Sequence, residues 1–309
     1  PGIVVKTAGT SGNSISETLL NRTSGAAVLN AVYTVTPTAG TCVGDDFDIT
    51  VPIKAEPVVE TNLNTTRCSG DIFNKDLATV MTSIGALDYT VSAVVDPDLI
   101  IGLVTTGINQ AATAIRNDFF FNFKSVPLKV IYTITPNGLN GCVGEPKVVE
   151  FTINPEPVIQ PQIIAAICSN NINNPTITNI VLGGDGISVG AANYRISIAK
   201  EYSSNAGPFG PGLPSGFTED IGNATVGSPS GINLIKNDKY TNISEFQVVV
   251  RYTIVPQGPV ASGSCDGDPV IFDVPIPLYK KLHLITEYSG EKVESSILEH
   301  QILGGMVWE

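Results

Sequence analysis

Three stretches of this chain repeat one another, and that restricts its fold more than any bulk property. The first is Val32-Tyr33-Thr34-Val35-Thr36-Pro37, followed by Cys42-Val43-Gly44 and a strand-like run from Phe47 to Val51. The second is Ile131-Tyr132-Thr133-Ile134-Thr135-Pro136, then Cys142-Val143-Gly144 and Val148 to Ile153. The third is Arg251-Tyr252-Thr253-Ile254-Val255-Pro256, then Cys265-Asp266-Gly267 and Val270 to Val274. Each closes on a proline exit at Pro57, Pro157 or Pro277. A second block also recurs: Arg67-Cys68-Ser69 and Ile167-Cys168-Ser169, then Arg116-Asn117-Asp118 and Lys236-Asn237-Asp238. Cys42 to Cys142 and Cys68 to Cys168 are both steps of 100 residues, and Cys142 to Cys265 is 123. A period of that size suits a sandwich domain, whereas solenoid and propeller repeats run to roughly 20–50 residues.

Inside each block the apolar residues alternate. Val130, Tyr132 and Ile134, and then Val149, Phe151 and Ile153, sit at period two among β-branched neighbours, which is the pattern of a half-buried strand. Asn137-Gly138 and Asn140-Gly141 between the two runs are turn formers. Each block therefore reads as a hairpin of the last two strands of a domain, ended by a proline that cannot donate to a ladder. The expected organisation is all-β, in tandem immunoglobulin-like sandwiches. Residues 1–57 are the C-terminal part of one repeat, 58–157 a complete repeat, and 158–279 a second complete repeat with a long loop at 203–233. Pro1 to Asn21 parallels Leu99 to Asn117 in this alignment. A chain starting at Pro1 within a repeat reads as a mature product or a piece of something longer.

The five cysteines admit two pairings. A 26-residue spacing joins Cys42 to Cys68 and Cys142 to Cys168 across repeat boundaries. The alternative stays within repeats, Cys68 with Cys142 and Cys168 with Cys265, with Cys42 left for residues before Pro1, and it is preferred because the opening strand of a sandwich is expected to start beside the last hairpin's loop. Such a loop of about 75 residues would be stabilised by roughly 4–5 kcal/mol. Five free thiols is the remaining reading. Bridges would imply an oxidising compartment.

The combination of Tyr-Thr-(Val/Ile)-Thr-Pro, a Cys-Val-Gly turn, a proline-ended strand and Cys-Ser resembles the PKD-like, immunoglobulin-type repeats of giant cell-surface adhesins of Bacteroidota. These are the SprB-type gliding-motility adhesins exported by the type IX secretion system. The resemblance covers residues 1 to about 279. It implies β-sandwich units strung into an extracellular surface filament. The partners it implies are the neighbouring repeats of one long chain and the secretion or motility machinery of the outer membrane, with surface polysaccharide a further candidate.

Composition narrows the rest. Seventeen basic against 29 acidic residues give a net charge of −12, which would repel nucleic acid and anionic lipid. No apolar run approaches the roughly 20 residues of a membrane-spanning helix, and no signal segment stands at Pro1. His283 and His300 both lie in the last 30 residues, so no histidine triad can form within the repeats. Gly183-Gly184-Asp185-Gly186 lacks the lysine of a phosphate loop and reads as a turn. No catalytic constellation is expected, and no cofactor. Asp45, Asp46 and Asp48, Asp96 with Asp98, and Asp266 with Asp268 could supply Ca²⁺ ligands, although solvated loop carboxylates are the favoured reading. Phe119-Phe120-Phe121 and Phe123 read as rings turned alternately to the core and to a linker contact. Phe209 and Phe217 in the 203–233 loop are the candidate contact residues for a ligand, since loops on a rigid scaffold carry binding. The Asn-x-Ser/Thr sequons at Asn21, Asn64, Asn223 and Asn242 fit exposed loops.

After Pro277 the pattern breaks. Residues 280–309 form a non-repeat tail with helical spacing at Val293, Ile297, Leu298 and Ile302. The expected function is the stalk of a large secreted surface adhesin, for attachment or gliding. The alternative is a carbohydrate-binding or accessory sandwich module of a secreted polysaccharide-degrading enzyme.

Overall fold

The computed structural model of the chain describes residues 3–7, 14–24, 28–60, 62–167, 177–204, 207–208, 217–220, 235–244 and 246–277. The tail at 280–309, with its expected helix, lies outside them, as does most of the 203–233 loop. The described residues form strands, turns and three short 3-10 segments, as the period-two pattern predicts for an all-β chain. They divide into two compact units, one of residues 1–122 with 126–154, the other of 123–125 with 155–309.

In the first unit, β1 (Ile3–Thr7) pairs antiparallel with β2 (Thr18–Asn21). β3 (Val28–Val35) pairs with β6 (Phe47–Lys54) across a small hairpin of β4 (Thr38–Ala39) and β5 (Cys42–Val43). Then come β7 (Thr65–Cys68), β8 (Ala86–Val95), β9 (Ile100–Leu103), β10 (Gly107–Gln110), β11 (Phe119–Phe121), β12 (Leu128–Gly138) and β13 (Lys147–Asn154). Five of these form one sheet in the order β10-β8-β12-β13-β7, and β9 pairs with β11 in another. Only β7 runs parallel to its neighbour, β13, in that five-stranded sheet.

The alternation in β12 converts directly into a core. Val130, Tyr132 and Ile134 are fully buried on one face, and β13 adds Val149, Phe151 and Ile153 beside them. Phe73, Leu77, Ile115 and Phe120 belong to the same cluster. The Phe73 ring lies 4.7 Å from Phe151 and 5.6 Å from Tyr132, centroid to centroid, and Phe120 lies 5.9 Å from Phe151. Burying each such side chain contributes about 1.5–3 kcal/mol.

The second unit repeats the scheme with β14 (Asn193–Ser204), β15 (Gly207–Pro208), β16 (Phe217–Asp220), β17 (Lys239–Asn242), β18 (Val248–Gln257) and β19 (Val270–Ile276). Its main sheet has the order β15-β14-β18-β19, and β16 pairs with β17. The register matches the first unit: Pro136 faces Tyr89 as Pro256 faces Tyr194, and Tyr132 faces Val149 as Tyr252 faces Phe272. The described parts of the expected long loop are strands. β14 runs on to Ser204 and turns back so that Ser203 faces Pro208, and Phe217–Asp220 pairs with β17. Its glycines and prolines mask these strands in the sequence, because proline is tolerated at a sheet edge.

Candidate functional site

The tyrosine of each Tyr-Thr motif donates its hydroxyl to a carboxylate, from within the core at Tyr132 and Tyr252 and from a half-exposed position at Tyr33. Tyr132 donates to Asp118 Oδ2 at 2.7 Å, Tyr252 to Asp238 Oδ2 at 2.7 Å, and Tyr33 to Glu17 Oε2 at 2.8 Å. Asp118 and Asp238 have no exposed surface at all. Asp118 also accepts from Thr105 N at 2.9 Å and Thr105 Oγ1 at 2.8 Å, so the buried acid is surrounded by donors.

Four residues after each acid stands an asparagine that ties its strand to the last strand. Asn21 Nδ2 donates to Ile53 O at 2.9 Å, Asn122 Nδ2 to Ile153 O at 2.8 Å, and Asn242 Nδ2 to Ile276 O at 3.0 Å. Asn122 and Asn242 each donate a second bond, to Val126 O and Phe246 O. Two of the expected exposed sequons are therefore corrected: Asn21 is 1% and Asn242 0% exposed, their amides engaged in the core. Asn64 is exposed, with its Oδ1 accepting from Glu150 N at 2.9 Å, and Asn223 lies outside the described residues. The counterpart of Asn21 is Asn122, and not Asn117 as the sequence alignment has it. The core role of these three asparagines has a signal in the sequence, the acid-x-x-x-Asn spacing at Glu17/Asn21, Asp118/Asn122 and Asp238/Asn242, that the sequon pattern at Asn21 and Asn242 does not convey.

The glycine of the Cys-x-Gly turn has a structural reason. Its N–H donates to the motif proline in all three blocks: Gly44 to Pro37 O at 2.9 Å, Gly144 to Pro136 O at 2.9 Å, Gly267 to Pro256 O at 2.8 Å. A Cβ on Gly144 would lie 2.0 Å from Pro57 O, and one on Gly267 1.9 Å from Pro157 O. The bare glycine lets the proline exit of the preceding block pass close by.

The cysteines need correcting. Cys142 is a free thiol, as is Cys42, whereas Cys68 and Cys265 are disulfide-bonded. The expected bridge from Cys68 to Cys142 is therefore not formed. The reason lies in the direction of β7. It runs parallel to β13, which puts Cys68 opposite Asn154 at the exit end of the strand, while Cys142 precedes its entry at Lys147. The length of β13 alone, roughly 23 Å at strand rise, separates those ends, and a disulfide spans a Cα separation of about 4.4–6.8 Å. Cys168 lies outside the described residues, so its expected pairing with Cys265 does too.

The other sequence candidates do not converge on one place. Phe120 is in the core, while Phe119 and Phe121 meet edge to face at 5.6 Å on the opposite side, over Gly102 and Gly70 of their own unit. Phe209 lies outside the described residues, and Phe217 opens β16 opposite Asn242. Asp48 accepts from Thr34 Oγ1 at 2.7 Å, Asp96 from Asp98 N at 3.0 Å, and Asp266 from Arg195 Nη1 at 3.1 Å. Among the described residues, no group of three or more His, Cys, Asp or Glu side chains comes together to hold a metal ion.

Burial drives the Tyr132 and Tyr252 hydroxyls far above their ordinary pKa of 10. The carboxylate beside Tyr132 adds to this shift, as do the Tyr240 hydroxyl and the carboxylate beside Tyr252. An unfolded chain releases these protons above pH 10 and the folded chain keeps them. The stability they confer is therefore complete below pH 10 and is lost as pH rises, by about 1.4 kcal/mol per pH unit for each tyrosine. Urea midpoints measured from pH 9 to pH 11 should fall in step. Tyr132→Phe should flatten the fall in the first unit.

A family model described as the PKD-like domain matches residues 3–57 and 65–157. Among solved structures, the crystal structure of the human desmocollin-1 ectodomain is similar at 10% identity and a TM-score of 0.24, over 81% of this chain. The chain spans about half of that one, 48% of its length. No curated protein matches the chain. The family model matches two segments that together make up just under half of the chain, and the fold that carries them is all-β, of PKD-like and immunoglobulin-like β-sandwich type.

Proposed function

We propose that this chain is a spacer region of a large secreted cell-surface adhesin, acting in attachment or gliding by holding a distal binding region away from the cell. The observation that carries this reading is the threefold recurrence of one internal scheme. In each repeat the motif tyrosine bonds an acid, the asparagine bonds the last strand and the backbone of the glycine turn bonds the motif proline, so these contacts hold the repeat's own strands together. A repeat in which these groups all serve the scaffold suits repetition along a filament, where each unit must resist pulling. Its partners are then the adjoining repeats and the outer-membrane machinery that exports or moves the filament.

Antibodies raised against residues 58–279 and imaged by immunogold on intact cells test it. Gold along filaments at the cell surface is the expected result. Gold confined to the periplasm or found only in the medium, with the protein retained on a polysaccharide column, would replace the stalk with the accessory module.

A further inference from the structure

The junction between the first two sequence blocks lies inside one compact unit, and it holds a free thiol at a defined place. Asn140 Nδ2 donates to Ala55 O at 2.8 Å, Lys54 Nζ donates to Asn140 O at 3.2 Å, and Cys142 N donates to Asn140 Oδ1 at 3.0 Å. Arg22 bonds Glu56 on one side of the junction and reaches Glu145 on the other at 2.8 Å. The Cys142 turn is thereby held against the exit of β6.

In the second block, the last strand has a neighbour along its outer edge. β7 lies parallel on β13, with Cys68 opposite Asn154. The 100-residue step that relates the blocks puts Lys54 where Asn154 stands. Yet β6 has only β3 beside it in its sheet among the described residues, and on its other edge only Asn21 bridges the exit at Ala55. Ile49 and Val51 on β6 are 39% and 37% exposed, where Val149 and Phe151 on β13 are at 0%. A strand added along β6 in the register of β7 would bring its cysteine opposite Lys54, beside the Cys142 turn. Neighbouring strands lie about 4.8 Å apart, so that cysteine would stand next to Lys54, whose Nζ reaches Asn140 O two residues before Cys142.

The state of the thiols agrees with this placement. Cys68 is bonded while Cys142, the turn cysteine of its own block, is free. An opening-strand cysteine therefore does not use the turn thiol of its own repeat. We propose that Cys142 is one half of an inter-repeat disulfide, and that its partner is the cysteine of a β7-type opening strand, of the pattern Thr-Thr-Arg-Cys-Ser-Gly, laid along the free edge of β6. Two thiols form the bond by passing two electrons and two protons to a disulfide oxidant such as glutathione disulfide. The inference stands whether the chain is a stalk or a binding module.

The native chain, treated with a synthetic peptide of residues 64–71 carried as its mixed disulfide with glutathione, tests it. The Cys142 thiolate attacks the peptide sulfur and expels glutathione, and mass spectrometry of digested protein locates the adduct. Cys42 is the internal control, because it is exposed where Cys142 is half-buried. The expected result is peptide on Cys142 about tenfold faster than on Cys42, with the preference lost for a scrambled peptide. Asn140→Ala, which frees the turn from Ala55, should reduce it. Equal modification, modification of Cys42 first, or indifference to peptide sequence would overturn the proposal.

Discussion

Replacing Asp118 with alanine should destabilise the first unit by about 3–5 kcal/mol, a large part of the stability of an ordinary domain. The carboxylate has no exposed surface and accepts from Tyr132 Oη, Thr105 N and Thr105 Oγ1. Alanine removes the acceptor for all three donors at once, and the Tyr132 hydroxyl is left buried without it. Each unsatisfied buried donor costs about 1–3 kcal/mol. Tyr132→Phe removes one donor and leaves the two from Thr105, so its expected cost at neutral pH is smaller, about 1–2 kcal/mol. The double variant should cost less than the sum of the singles, since the phenyl ring no longer demands an acceptor. Urea denaturation of the four proteins reads the whole cycle. A loss below about 1 kcal/mol for Asp118→Ala would mean that water replaces the carboxylate and that the pair does not hold the sheet.

The strands could be read from the sequence, because burial on one face imposes a period of two and the motif repeats it three times. The hairpins β3–β6, β12–β13 and β18–β19 followed directly. What holds the strands together was harder to see. Asp118 and Asp238 were recognised as equivalent, but nothing local links an acid to a tyrosine fourteen residues on; only the sheet brings them together. Asn21 and Asn242 looked like exposed sequons because the tripeptide is local, while the carbonyls they bind lie 32 and 34 residues away. The cysteines failed for a topological reason. The opening strand was placed with its cysteine near the hairpin turn, but β7 lies parallel to β13 and carries Cys68 to the far end. Strand direction is a property of the assembled sheet, and residue spacing does not encode it.

The turn glycines make the same junction testable by a graded series. Gly144→Ala should cost about 3 kcal/mol or more, because the new Cβ would stand 2.0 Å from Pro57 O and 2.8 Å from Pro136 Cγ. A backbone carbonyl cannot rotate away as a flexible side chain can, so the turn must move. With it would go the bonds from Asn140 to Ala55 and from Lys54 to Asn140. Protease cleavage near residues 55–58 should rise accordingly. Gly44→Ala makes the same change in the first block, where the Cβ meets Pro37 Cγ at 2.9 Å and Pro37 O at 3.4 Å, so a smaller loss is expected. Gly141→Ala separates crowding from torsion: its φ is +80° with nothing within 4 Å, and left-handed strain alone costs about 1–2 kcal/mol. Thermal unfolding of the three variants should therefore place Gly144→Ala well below the other two. If all three unfold together, the carbonyl of Pro57 is not packed against the turn, and the glycine serves the local bend alone.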